Sequence, residues 1–367
     1  MALLALNAVA DSSQDALERA GELVRQHRLS EAEAQAKLAL SDSATSPLAY
    51  ALLGGIKLEE KKIDESIAFL EKAIQLEPRL VGARLNLADA YSFRGDLGRA
   101  LDNYESVAKL KPDLLPAIRR AAEIAEQRGE LERSLSWWIR AKKLQPDDPD
   151  ILFGFGRVCL KLDLLDDAEP ALARAADLRP GQMSYRYVLA SARVGKKQFE
   201  SAERLLRELV AKKPDDFQLH YALGSVYYLE SKLEEAEEQL RASVRIEPEQ
   251  LASWYYLGLV TRDRGNTEEA MRIFRELIRK HPAHAPSYEA LGMLLMRTGQ
   301  YPEAEKDLEK AIALNPKSVK ANYQLGLLLG RMGRKDESAK QMAIARSLRQ
   351  EDEAQSRLQL RLLEPEQ

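Results

Sequence analysis

Phe153, Tyr187, Tyr221 and Tyr255 follow one another at intervals of 34 residues, and Tyr323 lies two intervals beyond the last. Aromatic rings concentrate binding energy at interfaces, because each offers a large flat apolar face and tyrosine adds a hydroxyl. That spacing therefore points to recognition. Residues able to make or break bonds are sparse. Cys159 is the single cysteine and forms no internal disulfide; its apolar neighbours mark it as a core thiol and not a nucleophile. His281 and His284 bracket Pro282, but two imidazoles without a third ligand make a poor metal site. Gly154-Phe155-Gly156 begins like a dinucleotide-binding turn, yet Cys159 stands where the third glycine belongs, and the segment reads as helix instead of a strand-to-helix turn. No Ser/His/Asp set, phosphate-cradling loop or paired catalytic carboxylate has supporting context. The chain reads as a non-enzyme without a cofactor or metal.

The elements that carry the tyrosines follow from punctuation. Pro78, Pro112, Pro146, Pro180, Pro214, Pro248, Pro282 and Pro316 recur every 34 residues, the mark of stacked structural repeats. Ten units align without insertion, starting at residues 13, 47, 81, 115, 149, 183, 217, 251, 285 and 319. Position 8 of each unit is always Gly or Ala, as at Gly54, Ala88, Gly156 and Gly258, and position 20 is always Ala or Ser, as at Ser66, Ala100, Ala168 and Ala270. Two antiparallel helices interdigitate closely only where side chains are this small. Gly95, Gly129, Gly265, Gly299 and Gly333 fall at position 15, between the two helices, where a left-handed backbone ends a helix. The position-32 proline stops the second helix. Pro302 opens a helix, and Pro170 lies inside one.

This pattern resembles the tetratricopeptide repeat family over residues 13 to about 352. Trp254, Leu257, Gly258, Gly265, Ala270, Phe274 and Pro282 occupy seven of its characteristic positions. The resemblance implies an all-α fold, a right-handed solenoid (superhelix) of helix-turn-helix repeats. Ala44 and Gln350 replace the proline in the first and tenth units, as suits terminal repeats. Three segments are expected: 1–12 as an N-terminal segment, 13–352 as ten repeats, and 353–367 as a C-terminal capping helix and tail with an Ala354, Leu358, Leu362 stripe.

With 55 basic and 58 acidic residues the net charge is −3, which provides no field for a polyanion, so nucleic acid is not an expected partner. No apolar run is long enough to span a bilayer. Residues 1–10, MALLALNAVA, end in the small-x-small form Ala8-Val9-Ala10. Two readings stand, the end of a secretion signal or a packing segment. The location is cytoplasmic as written, and periplasmic or secreted under the first reading.

In the resembled family, positions 2, 5, 6, 9, 12 and 13 of the first helix line a concave groove that takes partner proteins. Here those positions supply Phe153, Tyr187, Tyr221, Tyr228, Tyr255, Tyr256 and Tyr323, with Leu160, Val194, Leu229, Leu259, Met293 and Met296 beside them. Asn86, Asp89, Arg119, Arg120, Glu123 and Glu126 give a polar end, and Arg157, Lys161, Arg262 and Asp263 are the chief ions of the middle units. Asn86, Arg119, Arg120, Arg157 and Arg262 join the aromatic residues as candidate contacts, while Glu237 and Glu238 read as outer-surface positions. The family's chaperone-binding carboxylate clamp is matched at only two of five positions, Asn86 and Arg120. Its asparagine ladder is missing. The resemblance implies an adaptor that binds a partner peptide or helix, or alternatively a peptide-sensing regulator or accessory subunit of an enzyme or envelope-assembly complex. Partner, pathway and oligomeric state are not encoded in these residues.

Overall fold

The computed structural model describes the backbone of residues 2–363 and the side chains of residues 12–351. The side chains of Ala8-Val9-Ala10 and of the Ala354, Leu358, Leu362 stripe lie outside the described residues. Among the described residues the chain is all-α, and it divides into two compact units, Met1–Lys196 and Lys197–Gln367.

The first unit holds α1 (Ala2–Arg25) and α2 (Leu29–Leu38), α3 (Ser46–Glu59) and α4 (Ile63–Leu76), and α5 (Val81–Arg94) and α6 (Leu97–Leu110). It continues with α7 (Leu115–Gln127) and α8 (Leu131–Leu144), α9 (Pro149–Lys161) and α10 (Leu165–Leu178), and α11 (Met183–Gly195). The second opens with α12 (Phe199–Lys212) and continues with α13 (Phe217–Leu229) and α14 (Leu233–Ile246), then α15 (Leu251–Asp263) and α16 (Thr267–Lys280). It closes with α17 (Ala285–Arg297) and α18 (Tyr301–Leu314), and α19 (Val319–Arg331) and α20 (Lys335–Leu363). Gly154-Phe155-Gly156 lies inside α9, Pro302 falls in the first turn of α18, and α10 runs through Pro170.

Close approach at position 8 holds pairs together within each compact unit. A Cβ on Gly156 would lie 2.6 Å from Leu172 Cγ and 3.2 Å from the Ala168 carbonyl; on Gly258 it would lie 2.7 Å from the Phe274 ring. Wherever position 20 is serine, its hydroxyl donates to the position-8 carbonyl: Ser66 to Gly54, Ser134 to Ala122 and Ser338 to Gly326, each at 2.7 Å. The hydroxyl is thereby satisfied in a crossing too tight for water.

Every unit carries a left-handed residue at position 15. Gly95, Gly129, Gly265, Gly299 and Gly333 have φ between 78° and 87°, and His27, Lys61, Asp163, Lys197 and Ser231 have φ between 55° and 61°. Apart from Lys197, the residue after it donates back to the carbonyl five positions earlier, as in Lys62 to Lys57 at 2.9 Å and Gln300 to Leu295 at 2.9 Å, which is the six-to-one bond of a Schellman cap. Ahead of each proline, the residue from Glu77 to Asn315 leaves the helical region, with φ from −128° to −137° and ψ from 72° to 92°, the steric effect of proline on its predecessor. In several repeats the proline carbonyl then accepts from the side chain at position 4 of the next repeat. Arg84 donates to Pro78 at 2.8 Å, Trp254 to Pro248 at 2.8 Å and Tyr288 to Pro282 at 3.3 Å.

Ion pairs link several of the second helices to the following pair. Glu33 meets Lys57 at 2.8 Å, Glu105 meets Arg133 at 2.7 Å and Glu203 meets Lys232 at 2.6 Å, and Glu237 pairs with Arg264. Glu237 is therefore buried beneath Arg241 and Arg264, not part of the outer surface.

Both ends depart from the expected segments. Helix α1 is continuous from Ala2, ahead of the unit start at residue 13. Helix α20 runs unbroken to Leu363, so no break separates a capping helix from the tenth pair. Gln350 removes the proline that stops the other second helices. In the first unit, where Ala44 replaces it, α2 instead tightens into a 3₁₀ turn at Ala39–Ser41.

Candidate functional site

In the first unit, the first helices of three successive pairs enclose an apolar cavity of about 500 Å³. Leu17 and Val24 of α1, Leu48, Ala51, Leu52 and Gly55 of α3, and Gly82 of α5 line it, and Asn86 stands at its edge. The hollow arises from missing side chains: a Cβ on Gly82 would meet nothing within 4 Å, and one on Gly55 would meet only Asn86 Nδ2, at 3.2 Å. Leu48 is 47% exposed over it. The hollow lies beside repeats one and two, where Leu17, Leu48, Ala51, Leu52 and Gly55 stand at groove-lining positions, next to the polar residues of repeats three and four.

The charges of that unit largely satisfy one another. Tyr104 donates to Asp89, and its hydroxyl is pushed up to about 12 by burial and then by that carboxylate. Arg120 reaches the Tyr104 hydroxyl at 3.5 Å and Glu123 at 3.0 Å. Arg119 lies 4.0 Å from Asp150, which also accepts from Tyr185 at 2.5 Å and Arg179 at 2.8 Å. Against burial, these donors hold Asp150 below its ordinary value. Glu126, with 6% of its side chain exposed, accepts from Arg157 at 2.6 Å and Lys161 at 2.7 Å. Phe153 stacks on Tyr185 with centroids 4.3 Å apart, and the Arg157 guanidinium lies 5.4 Å from its ring. Tyr187 on α11 is half-buried. Tyr185 is the residue that sequence reasoning missed. The available signal was position 3, which is small at Ala49, Ala83 and Ala117.

In the second unit the candidate tyrosines converge. Tyr256 of α15 is a hub, with Tyr221 at 5.6 Å, Tyr228 at 6.1 Å and Tyr255 at 5.9 Å, each nearly perpendicular to it. Edge-to-face contacts of this kind are favourable beyond their buried area. Tyr255 also meets the imidazole of His284 at 5.3 Å. Burial lowers the His284 pKa, and its Nδ1 lies 2.8 Å from Ser287 Oγ. Arg262 grips Asp263 through two nitrogens at 2.7 and 3.0 Å, while Tyr228 donates to the same carboxylate at 2.8 Å. Burial and Asp263 push the Tyr228 hydroxyl up to about 12. With Arg262 neutralised by Asp263, the cluster presents rings and hydroxyls in preference to net charge.

Other expected contacts stand apart. Tyr323 is 45% exposed and Leu229 50% exposed, whereas Leu259 and Met296 are buried. Cys159 is buried, and desolvation pushes its thiol up to about 12, which leaves it protonated and inert. Among the described residues no group of His, Cys, Asp and Glu could hold a metal ion, and no helix is long and apolar enough to cross a membrane.

Repeated antiparallel pairs with a position-8 crossing and a shared left-handed turn define a helical-repeat protein. Tetratricopeptide repeat models match residues 48–80, 81–114, 119–182, 187–250 and 230–285, and a TPR repeat model matches 292–333. The chain belongs to the tetratricopeptide repeat family. All of these matches are to repeat models and none to a catalytic domain. No curated protein matches the chain. Among solved structures, the chain is similar to YrrB, described as a TPR protein with an unusual peptide-binding site. The identity is 20%, over 51% of this chain and 96% of that one, with a TM-score of 0.46. It is also similar to MamA, at 21% identity over 45% of this chain and 97% of that one, TM-score 0.41. MamA 41-end from Desulfovibrio magneticus RS-1 aligns at 22% identity over 46% and 96%, TM-score 0.44.

Proposed function

We propose that this protein is a non-enzymatic adaptor whose first helices hold a peptide or helix of a partner protein. The observation that carries this reading is the apolar cavity of about 500 Å³ between α1, α3 and α5. A core would fill such a hollow, since packing loses dispersion contacts wherever partner atoms are missing. An open apolar concavity with few polar groups is the usual form of a binding site. The tyrosine cluster on Tyr256 supplies a second anchoring surface in the other unit, of the residue type that dominates interface energetics. Arg157 and Arg262 act by fixing ring positions, since each is held by a carboxylate.

Gly82→Trp tests the reading directly, because Gly82 lines the cavity and a Cβ there meets nothing within 4 Å. A partner is first captured from cells of the source organism, and its affinity is measured for the native chain, for Gly82→Trp, and for a Tyr221→Ala, Tyr255→Ala, Tyr256→Ala variant. Each variant should keep its helical circular dichroism and bind at least about tenfold more weakly, a loss of about 1.4 kcal/mol. Native affinity in both folded variants would place the binding site elsewhere.

A further inference from the structure

The second unit carries a separate cavity of about 420 Å³ between α14 and α16, on the side of the second helices. Ile273 and Leu277 supply apolar walls, and Trp254 reaches in from α15. The indole is fixed in place, since its Nε1 donates to the Pro248 carbonyl at 2.8 Å. Around this apolar centre lies a rim of both signs, most of it already paired. Arg241 holds Glu269 at 2.8 Å, Arg279 holds Glu276 at 2.6 Å, and Lys280 holds Glu249 at 2.9 Å. Arg272 also lines the cavity, is exposed, and has no ion-pair partner among the described residues.

We infer that this cavity is a second docking site, which takes an apolar side chain of a partner protein with a carboxylate beside it. The apolar side chain packs on Trp254, Ile273 and Leu277, and the carboxylate meets the one uncompensated guanidinium. Arginine suits that role because its planar fork binds a carboxylate through two parallel hydrogen bonds. An apolar centre inside a polar rim, with tryptophan and arginine at the contact, is the anatomy of a protein interface. A membrane surface would call for a face of basic residues, and the mixed rim lacks one. The site is independent of the first-helix face, so either reading can fail alone.

A display library of short random peptides, selected on the full-length protein, tests the inference. Selected peptides should place Asp or Glu next to Leu, Ile, Met or Phe. Arg272→Glu should weaken them about tenfold or more, Arg272→Lys less, and Trp254→Ala should weaken them as well. Because Arg272 is an exposed side chain, its variants keep the fold. Peptides weakened by Tyr255→Ala and not by Arg272→Glu report the first-helix face instead. The inference is overturned if no selected peptide loses affinity in Arg272→Glu, or if the selected sequences are basic. Phosphatidylglycerol vesicles that bind the native chain and not Arg272→Glu, or self-association abolished by that change, would overturn it in favour of a lipid or a second copy.

Discussion

A single hydrogen is all that position 258 can carry. Gly258→Leu drives a branched side chain into the ring of Phe274, which is fully buried, and overpacking of that kind should cost about 3 kcal/mol or more. Urea denaturation should register the loss, whereas Glu268→Gln, on the exposed face of α16, should leave the midpoint unchanged. If the two variants unfold alike, the crossing is not tight. Residue type foretold this contact well, because the demand for smallness at positions 8 and 20 is written in the residues themselves. It foretold the candidate site less well. The cavity of the first unit is built from side chains that are absent, at Gly55 and Gly82, and an absence has no periodic signature. Phe153 was legible as a ring but not as the stacking partner of Tyr185, since that contact depends on the Asp150 anchor contributed by the same helix as Phe153.

At the level of the helix pair, the turn shows how a period can carry information that composition does not. Five glycines announce a left-handed residue at position 15, yet Asp163 and Ser231 adopt the same backbone. A non-glycine residue held there is strained by roughly 1–2 kcal/mol, partly offset by the larger entropy that glycine loses on folding. Asp163→Gly and Ser231→Gly should therefore each stabilise by about 0.5 kcal/mol, read as a higher denaturation midpoint; lowered midpoints would mean that their side chains stabilise the turn. Electrostatics adds a pH signature to the first two pairs. The hydrogen bonds from Lys37 and Lys57 hold Glu33 at about 2, against an ordinary 4.5. A depressed carboxylate contributes stability that is fully present above the unfolded value and is lost as pH falls through the folded one. Amide protection factors in α2–α4, taken relative to the intrinsic exchange rate at each pH, should fall between pH 4.5 and about 2 in the native chain, and Glu33→Gln should flatten that response. An identical slope in both would remove Glu33 as the cause.

Across the whole molecule, contacts run mainly between neighbouring helices, so stability should be close to a sum of pair and interface contributions. Deletion of the 34 residues from Ala285 to Ser318 should leave a shorter folded protein, with helical circular dichroism reduced by one pair's share. A collapse of the signal well beyond that share would show that the pairs are not interchangeable. The repeat architecture was legible because the constant interval constrains every unit at once. The frame does not reach the helix bounds at the two ends, Ala2 for α1 and Leu363 for α20, since no proline of the series lies there. The carboxylates of Glu33, Glu105, Glu203 and Glu237, each reaching a cation of the following pair, have one more consequence. They add charge to an apolar core that itself runs from pair to pair, as from Ile67 of α4 to Ile124 of α7, and only the charge is screened by salt. Ionic strength is therefore a partial handle on cooperativity: as salt rises, the charged share of the coupling weakens and the unfolding transition should broaden, while the shared apolar core keeps neighbouring pairs linked.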